Sequence, residues 1–166
     1  MTTTETAVVT QIHRIYIKAS QQAIWDAITN AEWTQRYGYR GLAEYDLRPG
    51  GAYRFVANAE MQALGMPEVV VDGKVLEADP PRRLVQTWRF LWDEEIAAEG
   101  PIRIIYEIDE DDFGYTRLTV TTELENAPKS VSAFAGEGRL QQGGGGMNWI
   151  LSELKTLLET GSLDQS

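Results

Sequence analysis

The chain has one histidine, His13, and no cysteine, and this limits the chemistry its side chains can perform. A metal site with two imidazoles, a thiolate metal site, an iron–sulfur cluster, a disulfide and a Cys–His pair are all excluded. If His13 faces inward, it can bind or orient a ligand or act as a lone acid–base group. The alternative is a histidine satisfied by neighbouring strands.

Other motifs that could carry chemistry are incomplete. The acidic residues 109–112 begin like a calcium loop, but such a loop needs an oxygen ligand at Phe113 and a glutamate at Val120. We therefore interpret this run as a solvated hairpin tip. The glycines at 143–146 follow no predicted strand and lack the Lys-Ser/Thr pair of a phosphate-binding loop. We expect no metal, no nucleotide and no other cofactor.

Paired carboxylates for acid–base work are also poorly supported. Alternation along the predicted strands can place only Glu77 and Asp72 on an inner face, and we assign the other acidic residues to the surface. No nucleophile, base and orienting group come together in the sequence. No catalytic residue is assigned, and a role other than catalysis is favoured.

Composition indicates one soluble domain spanning residues 1–166. The chain has 166 residues, 43% of them hydrophobic and 24% charged, which is typical of a single hydrophobic core. A net charge of −10 disfavours nucleic acid as a partner, because acidic surfaces repel phosphates. The N-terminus does not resemble a signal peptide, and no apolar run approaches the ~18 residues of a membrane span. We expect a cytoplasmic protein with flexible ends at 1–7 and 162–166.

The first part of the chain predicts one strand and two short helices. Residues Val8 to Lys18 alternate with period two, which indicates a strand. Ser20 is a suitable N-cap for a helix over Gln21–Thr29, and Asn30 is a suitable cap for a second short helix before Gly38.

Six further strands and a long helix follow. The strands are predicted at Leu42–Leu47, Ala52–Val56, Glu68–Ala78, Leu84–Trp92, Ile102–Ile108 and Arg117–Leu124. Turn residues at hairpin spacing separate them, which favours an antiparallel meander. An apolar stripe at helical spacing from Trp149 to Leu158, stopped by Gly161, predicts the C-terminal helix, with the glycine run as a hinge or helix start.

The element order β-α-α-β6-α predicts an α+β helix-grip fold. Only one long helix is available to cover the sheet, so a curved antiparallel sheet must wrap around it. Such an arrangement seldom fills all the space between sheet and helix, and an internal cavity is therefore expected.

Alternation along each strand predicts which side chains face the helix. The inward sets are His13, Ile15 and Ile17; Tyr53 and Phe55; Leu84, Gln86, Trp88, Phe90 and Trp92; Ile102, Ile104, Tyr106 and Ile108; and Leu118, Val120 and Leu124. From these sets and the C-terminal helix we select the cavity-lining candidates Tyr53, Phe55, Trp88, Phe90, Tyr106, Trp149 and His13. The alternative is that the aromatic side chains simply fill the core.

Several stretches, in order along nearly the whole chain, resemble one family. They are AS at 19–20 with IWDAIT at 24–29, DLRPGGAYRF at 46–55, GKVLE at 73–77 with DPPRRLV at 79–85 and TW at 87–88, GYTRLTV at 114–120, and the helix at 149–158. The chain resembles the SRPBCC superfamily of START-like, birch-pollen-allergen-like folds, in the branch of homologues of the activator of the heat-shock-protein-90 ATPase. The resemblance implies a helix-grip fold whose cavity holds apolar or amphipathic small molecules.

Three functions remain open. The leading hypothesis is binding of a small hydrophobic or amphipathic molecule between the sheet and the C-terminal helix. The resemblance suggests a second, a stress-related co-chaperone-like module that contacts a protein partner. The third is a cyclase or hydrolase of polyketide or aromatic metabolism that uses His13, Gln86 and Tyr106. A homodimer and a chaperone are further candidate partners, and no membrane span is expected.

Overall fold

One antiparallel sheet forms the frame of the molecule. The computed structural model describes residues 8–125, 127–136 and 145–161. The strands are β1 (Val8–Ile17), β2 (Leu42–Tyr45), β3 (Ala52–Val56), β4 (Val69–Asp79), β5 (Arg83–Phe90), β6 (Ile102–Glu110) and β7 (Thr116–Glu125). They pair in the order β1-β7-β6-β5-β4-β3-β2, so β1 and β2 are the two edges. The seven predicted strands are confirmed.

One strand ends earlier than its pattern predicts. We expected β5 to reach Trp92 with that side chain inward, but β5 ends at Phe90 and Trp92 is 42% exposed. The side chain of Asp93 accepts hydrogen bonds from the backbone N–H groups of Glu95 and Ile96, which begins a helix there. The alternation therefore breaks before Trp92.

The helices are α1 (Gln21–Thr29), α2 (Ala31–Thr34), α3 (Ala59–Ala63), α4 (Glu94–Ala98), α5 (Pro128–Ala135) and α6 (Gly146–Thr160). The side chains of Ser20 and Asn30 cap α1 and α2 as predicted, accepting from the N–H groups of Ala23 and Glu32. Helices α3, α4 and α5 were not predicted, because five to eight residues are too short to show a helical period. In the described residues no helix is long and apolar enough to cross a membrane.

The sheet curls around α6, which confirms the α+β helix-grip fold. Helix α6 buries Met147, Leu151, Leu154 and Leu157 in one core. The same core includes α1 side chains and inward residues of β1, β6 and β7, namely Ile24, Ala27, Ile28, Ile17, Ile104, Ile108, Leu118, Val120 and Leu124. We call this side of the sheet the concave face.

The end of α5 and the start of α6 approach each other through glycine. A Cβ atom on Gly136 would lie 2.3 Å from the carbonyl oxygen of Gly145, and both Gly136 and Gly146 have positive φ angles. Only glycine fits there. The glycine run starts a helix at Gly146, as one of the two interpretations predicts. Residues 143–144 and the predicted flexible ends at 1–7 and 162–166 lie outside the described residues.

Candidate functional site

Five aromatic side chains lie in contact across the concave face. The ring centroids of Tyr45 and Tyr53 are 4.5 Å apart, and those of Tyr53 and Trp88 are 5.6 Å apart. Trp88 lies 5.9 Å from Phe90, and Phe134 of α5 lies 5.8 Å from Trp88 and 5.5 Å from Phe90. We call these five residues the aromatic row. Its members come from four elements and meet only in the folded chain.

Strand register explains how the row forms. Tyr45 lies directly opposite Tyr53, and Tyr53 lies opposite Gly73 on β4. The rings of Tyr53 on β3 and Trp88 on β5 meet across β4 at an interplanar angle of 30°. A Cβ atom on Gly73 would lie 2.0 Å from the carbonyl oxygen of Thr87, so this position requires glycine.

Burial along the aromatic side chains is uneven. Tyr53 is only 2% exposed and Tyr106 is buried, so these two fill the core. Phe55, Trp88 and Phe90 are half-buried. The indole Nε1 of Trp88 is itself buried and has no hydrogen-bond acceptor among the described residues. Accessible aromatic surface and one unused donor therefore occur together on the concave face.

A hydrogen bond joins two polar side chains beside the row. The hydroxyl of Tyr45 donates to Oε1 of Gln86 at 2.6 Å, and the rings of Tyr45 and Tyr53 lie in contact. Gln86 is fully buried. We call Tyr45, Tyr53 and Gln86 the tyrosine–glutamine chain, and the hydrogen bond between Tyr45 and Gln86 stabilises the core.

Burial raises the pKa of four tyrosines that lie near one another, Tyr37, Tyr45, Tyr53 and Tyr106. Removal from water disfavours the phenolate, and for Tyr37, Tyr45 and Tyr53 the neighbouring phenols raise the pKa further. The Tyr37 hydroxyl donates to the carbonyl oxygen of Ala27 at 2.8 Å. These phenols are neutral at physiological pH and act as hydrogen-bond donors rather than as bases.

A second polar group lies where β1 pairs with β7. Gln11 is directly opposite Thr122, and His13 is opposite Val120, so all face the same side of the sheet. Nε2 of Gln11 donates to the carbonyl oxygen of Val131 in α5 at 3.0 Å. Within the described chain, Gln11 Oε1, His13 Nδ1 and Thr122 Oγ1 are buried without a hydrogen-bond partner. We call Gln11, His13 and Thr122 the polar corner.

Burial also determines the charge state of His13. Desolvation lowers the pKa of His13 below its usual 6.5, because the charged imidazolium loses water contacts in the fold. The imidazole is therefore neutral at pH 7, when one ring nitrogen donates and the other accepts. The polar corner thus holds uncharged donors and acceptors.

The structure brings six of the seven predicted residues to the concave face, in two groups. Tyr53, Phe55, Trp88, Phe90 and Tyr106 lie on β3, β5 and β6, while His13 lies on the edge strand β1, with β7 between it and Tyr106. His13, Gln86 and Tyr106, named for an enzymatic role, thus come from three different strands.

Trp149 does not join the other six, contrary to expectation. Trp149 is half-buried, and its ring lies edge-on to Tyr39 with centroids 5.1 Å apart. Because successive helical residues turn by about 100°, Trp149 points well away from the direction of the buried Leu151. The predicted apolar face of the C-terminal helix began at Trp149, and this residue lies outside the face that is buried.

Sequence reasoning missed four residues of this face: Gln11, Tyr45, Thr122 and Phe134. Phe134 was missed because α5 was not predicted. Its signals were Pro128 at the first helical position, Gly136 at the end and the three-residue spacing from Val131 to Phe134. Thr122 was passed over as a polar residue between Val120 and Leu124, although alternation placed it inward.

The two carboxylates that were candidates for an inner face form solvent-facing ion pairs instead. Asp72 accepts two hydrogen bonds from Arg89, at 3.0 and 2.8 Å, and Glu77 pairs with Arg83 at 3.3 Å. Arg89 is the cross-strand partner of Asp72, and Arg83 lies two residues from Val85, the cross-strand partner of Glu77, so both carboxylates have an arginine within reach on the outer side. In the described part of the chain, no group of three or more His, Asp or Glu side chains could hold a metal ion.

Solved structures share this fold at low sequence identity. CalU16 from Micromonospora echinospora matches with a TM-score of 0.59 and 18% identity, covering 95% of this chain and 87% of its own. The Aha1 dimer from Colwellia psychrerythraea matches at 0.59 and 18%, covering 92% and 98%. An HSP90 activator from Plasmodium falciparum matches at 0.53 and 20%, covering 69% and 72%. These likenesses show the fold.

Sequence comparison identifies the family. No curated protein matches the chain. The family model described as "Activator of Hsp90 ATPase homolog 1-like protein" matches residues 18–159, which contain nearly every element of the fold. This agrees with the helix-grip architecture and with the Aha1-like branch of the SRPBCC superfamily, and the chain therefore belongs to the Activator of Hsp90 ATPase homolog 1-like family.

Proposed function

We propose that the chain binds a small apolar or amphipathic molecule between the concave face and helices α5 and α6. The observation that carries this proposal is the incomplete burial of Phe55, Trp88 and Phe90, which face the interior yet retain accessible surface. Side chains that only filled a core would lose nearly all of that surface. A ligand that covered it would gain about 25 cal/mol per Å² of apolar area, before ordering costs.

The unpaired indole of Trp88 supports an amphipathic ligand. Its Nε1 is a donor with no acceptor among the residues the structure describes, and a buried donor without an acceptor is unfavourable. An oxygen or nitrogen acceptor on the ligand would satisfy it. Trp88 also contacts Tyr53, Phe90 and Phe134, so it lies where the proposed ligand would meet several rings at once.

The test is a fluorescence titration with the neutral apolar probe N-phenyl-1-naphthylamine. We expect saturable binding to the wild-type chain and roughly tenfold weaker binding to Trp88→Leu, because that change removes aromatic contact area. Trp149→Leu is the matched control, since Trp149 packs on Tyr39 away from the aromatic row. Native mass spectrometry gives the stoichiometry, expected to be one.

Absence of saturable binding to the wild-type chain would overturn the proposal. Equal weakening by Trp88→Leu and Trp149→Leu would overturn the placement of the site on the aromatic row. Circular dichroism of both variants shows whether they are folded, so that a lost site is not confused with a lost fold.

Family membership favours a second candidate, contact with an Hsp90-type chaperone. The matching family is named for activators of the Hsp90 ATPase, and the Plasmodium neighbour is described as an HSP90 activator. The test is a pull-down with a purified Hsp90-type chaperone together with its ATPase rate. Binding with a raised ATPase rate would support a stress-related role, and neither binding nor stimulation would reject it.

A second copy of the chain is the partner we propose for strand β1. This ten-residue strand lies at the sheet edge and carries Ile12, which is 61% exposed, and Tyr16, which is 45% exposed. Long apolar edge strands pair readily with other strands. The Colwellia neighbour is described as a dimer. Light scattering should give a dimer mass that Ile12→Lys reduces to a monomer mass, and a wild-type monomer would reject the pairing.

A further inference from the structure

The polar corner contains buried hydrogen-bonding atoms that the described fold does not use. Thr122 is fully buried, and Oγ1 of Thr122, Oε1 of Gln11 and Nδ1 of His13 have no partner among the described residues. Each unpaired buried polar group is costly, so such atoms are rare in folded proteins unless something else satisfies them. Three of them lie on neighbouring residues, where one bound polar group can reach them.

The three side chains are positioned to act on one group. Gln11 and Thr122 are direct cross-strand partners, and His13 follows Gln11 by two residues on the same face. Side chains in these positions lie about 5–7 Å apart. The amide of Gln11 is oriented by its bond from Nε2 to the carbonyl oxygen of Val131, which leaves Oε1 as its free atom. Oε1 accepts only, so the bound group must include a donor.

Charge distribution around the corner restricts that group further. Charged residues of β1 and β7 alternate with the corner residues and therefore face the outer side of the sheet, and they include Arg14, Arg117 and Glu123. Arg14, for example, donates from Nε to Oγ1 of Thr119 on that outer side. A carboxylate at the corner would meet no cation from these two strands, and it would lie against the acceptor oxygen of Gln11. Burying such a charge is strongly unfavourable.

We propose that the polar corner recognises a neutral hydroxyl group, so that the natural ligand is an apolar alcohol or phenol rather than a fatty or aromatic acid. A hydroxyl can donate to Gln11 Oε1 and accept from Thr122 Oγ1 at the same time, which matches the two unpaired atoms. The neutral imidazole of His13 supplies a further donor or acceptor. This inference rests on the proposed function, because it assumes a ligand between the sheet and the helices.

The test compares three probes that differ in one substituent: pentylbenzene, 4-pentylphenol and 4-pentylbenzoate. Each competes with N-phenyl-1-naphthylamine at neutral pH, where the phenol is neutral and the benzoate is charged. We expect 4-pentylphenol to bind roughly tenfold more tightly than pentylbenzene, and 4-pentylbenzoate to bind most weakly.

The variant Thr122→Val keeps the shape of the side chain and removes its hydroxyl. We expect it to reduce the preference for 4-pentylphenol over pentylbenzene, because the ligand hydroxyl loses the donor that Thr122 supplies. The matched control is Thr121→Val, the same change one residue earlier on β7 and therefore on the opposite face. Thr121→Val should keep the preference. Circular dichroism confirms that both variants fold.

The outcomes separate this inference from the proposed function. If the probes bind but 4-pentylphenol has no advantage, or if Thr122→Val keeps that advantage, the hydroxyl site is rejected and the apolar site stands. Tighter binding of 4-pentylbenzoate than of 4-pentylphenol also rejects it. If N-phenyl-1-naphthylamine itself does not bind to the wild-type chain, both proposals are rejected.

Discussion

The tyrosine–glutamine chain and the polar corner lie on the same concave face, and both consist of polar side chains surrounded by apolar ones. In the first, Tyr45 donates to Gln86 at 2.6 Å. In the second, one atom of each residue has no partner within the described chain. Buried polar groups that satisfy one another stabilise a fold, whereas unpaired ones reduce its stability. The comparison supports a structural role for the first group and the proposed ligand recognition for the second.

The largest expected effect on stability concerns the buried tyrosines in and near the tyrosine–glutamine chain. Burial raises the pKa of Tyr37, Tyr45, Tyr53 and Tyr106 above the ordinary value of 10. The unfolded chain therefore loses these protons first, so their contribution to stability is complete below pH 10 and is lost as the pH rises above it. We expect alkaline unfolding in which tyrosinate absorbance and circular dichroism change together.

If these phenols ionise while the protein keeps its native circular dichroism, the prediction that they are buried from water is wrong. Tyr53→Phe is the control, because it removes one of the four protons and should weaken the dependence of unfolding on alkaline pH.

Removing the hydrogen-bond acceptor from the tyrosine–glutamine chain should lower the free energy of unfolding more than any change in the polar corner. Gln86→Leu leaves the buried hydroxyl of Tyr45 without its acceptor, and we expect the free energy of unfolding to fall by about 1–3 kcal/mol in urea titrations. The double variant Tyr45→Phe with Gln86→Leu removes both partners and should recover part of that loss. Additive losses in the double variant would show that the two side chains are not coupled.

The corresponding change in the polar corner should not destabilise the fold. Thr122→Val replaces an unpaired buried hydroxyl with a methyl group of similar size, and we expect stability to stay constant or to rise by up to about 1 kcal/mol. Thr121→Val on the outer face should change stability by less than about 0.5 kcal/mol. A clear loss in Thr122→Val, measured by urea unfolding, would mean that its hydroxyl holds a structural bond.

The smallest effect concerns His13 and the acid side of the pH range. Burial lowers the pKa of His13 below 6.5, so the unfolded chain takes up a proton before the folded chain does. Stability is therefore complete above pH 6.5 and falls as the pH drops below that value, until the folded imidazole is also protonated. Urea unfolding at several pH values should show a slope that His13→Gln removes. If the free energy of unfolding of His13→Gln depends on pH as strongly as that of the wild type, other groups cause the dependence.

Glu159 is a second acid-sensitive group, and the pH range of its effect distinguishes it from His13. Lys155 and the backbone N–H of Lys18 hydrogen-bond to Glu159 and lower its pKa below 4.5. Its contribution to stability is present above pH 4.5 and is lost at lower pH. This loss therefore begins at a lower pH than the loss caused by protonation of His13.

Local patterns predicted the regular elements well where the pattern was long or the cap was strong. The helix Gln21–Thr29 and the strand Ala52–Val56 were predicted to the residue, since capping and alternation depend on near neighbours in sequence. Helix α5 escaped prediction because eight residues give little helical period, and with it Phe134 was lost from the predicted site. The predicted inward direction of Trp149 depended on the exact width of a helical stripe, which packing decides.

The sequence by itself determined the number and order of the strands, the C-terminal helix and which strand residues share a face, because these follow from periods of two and 3.6 residues. Only the tertiary structure decided which inward polar groups find partners. Gln86 and Tyr45 are 41 residues apart in sequence and meet across the sheet, whereas Thr122 lies opposite Gln11, whose amide N–H group bonds to α5 instead. Hydrogen bonding depends on distances of a few tenths of an ångström between remote segments, and a one-dimensional pattern does not contain them.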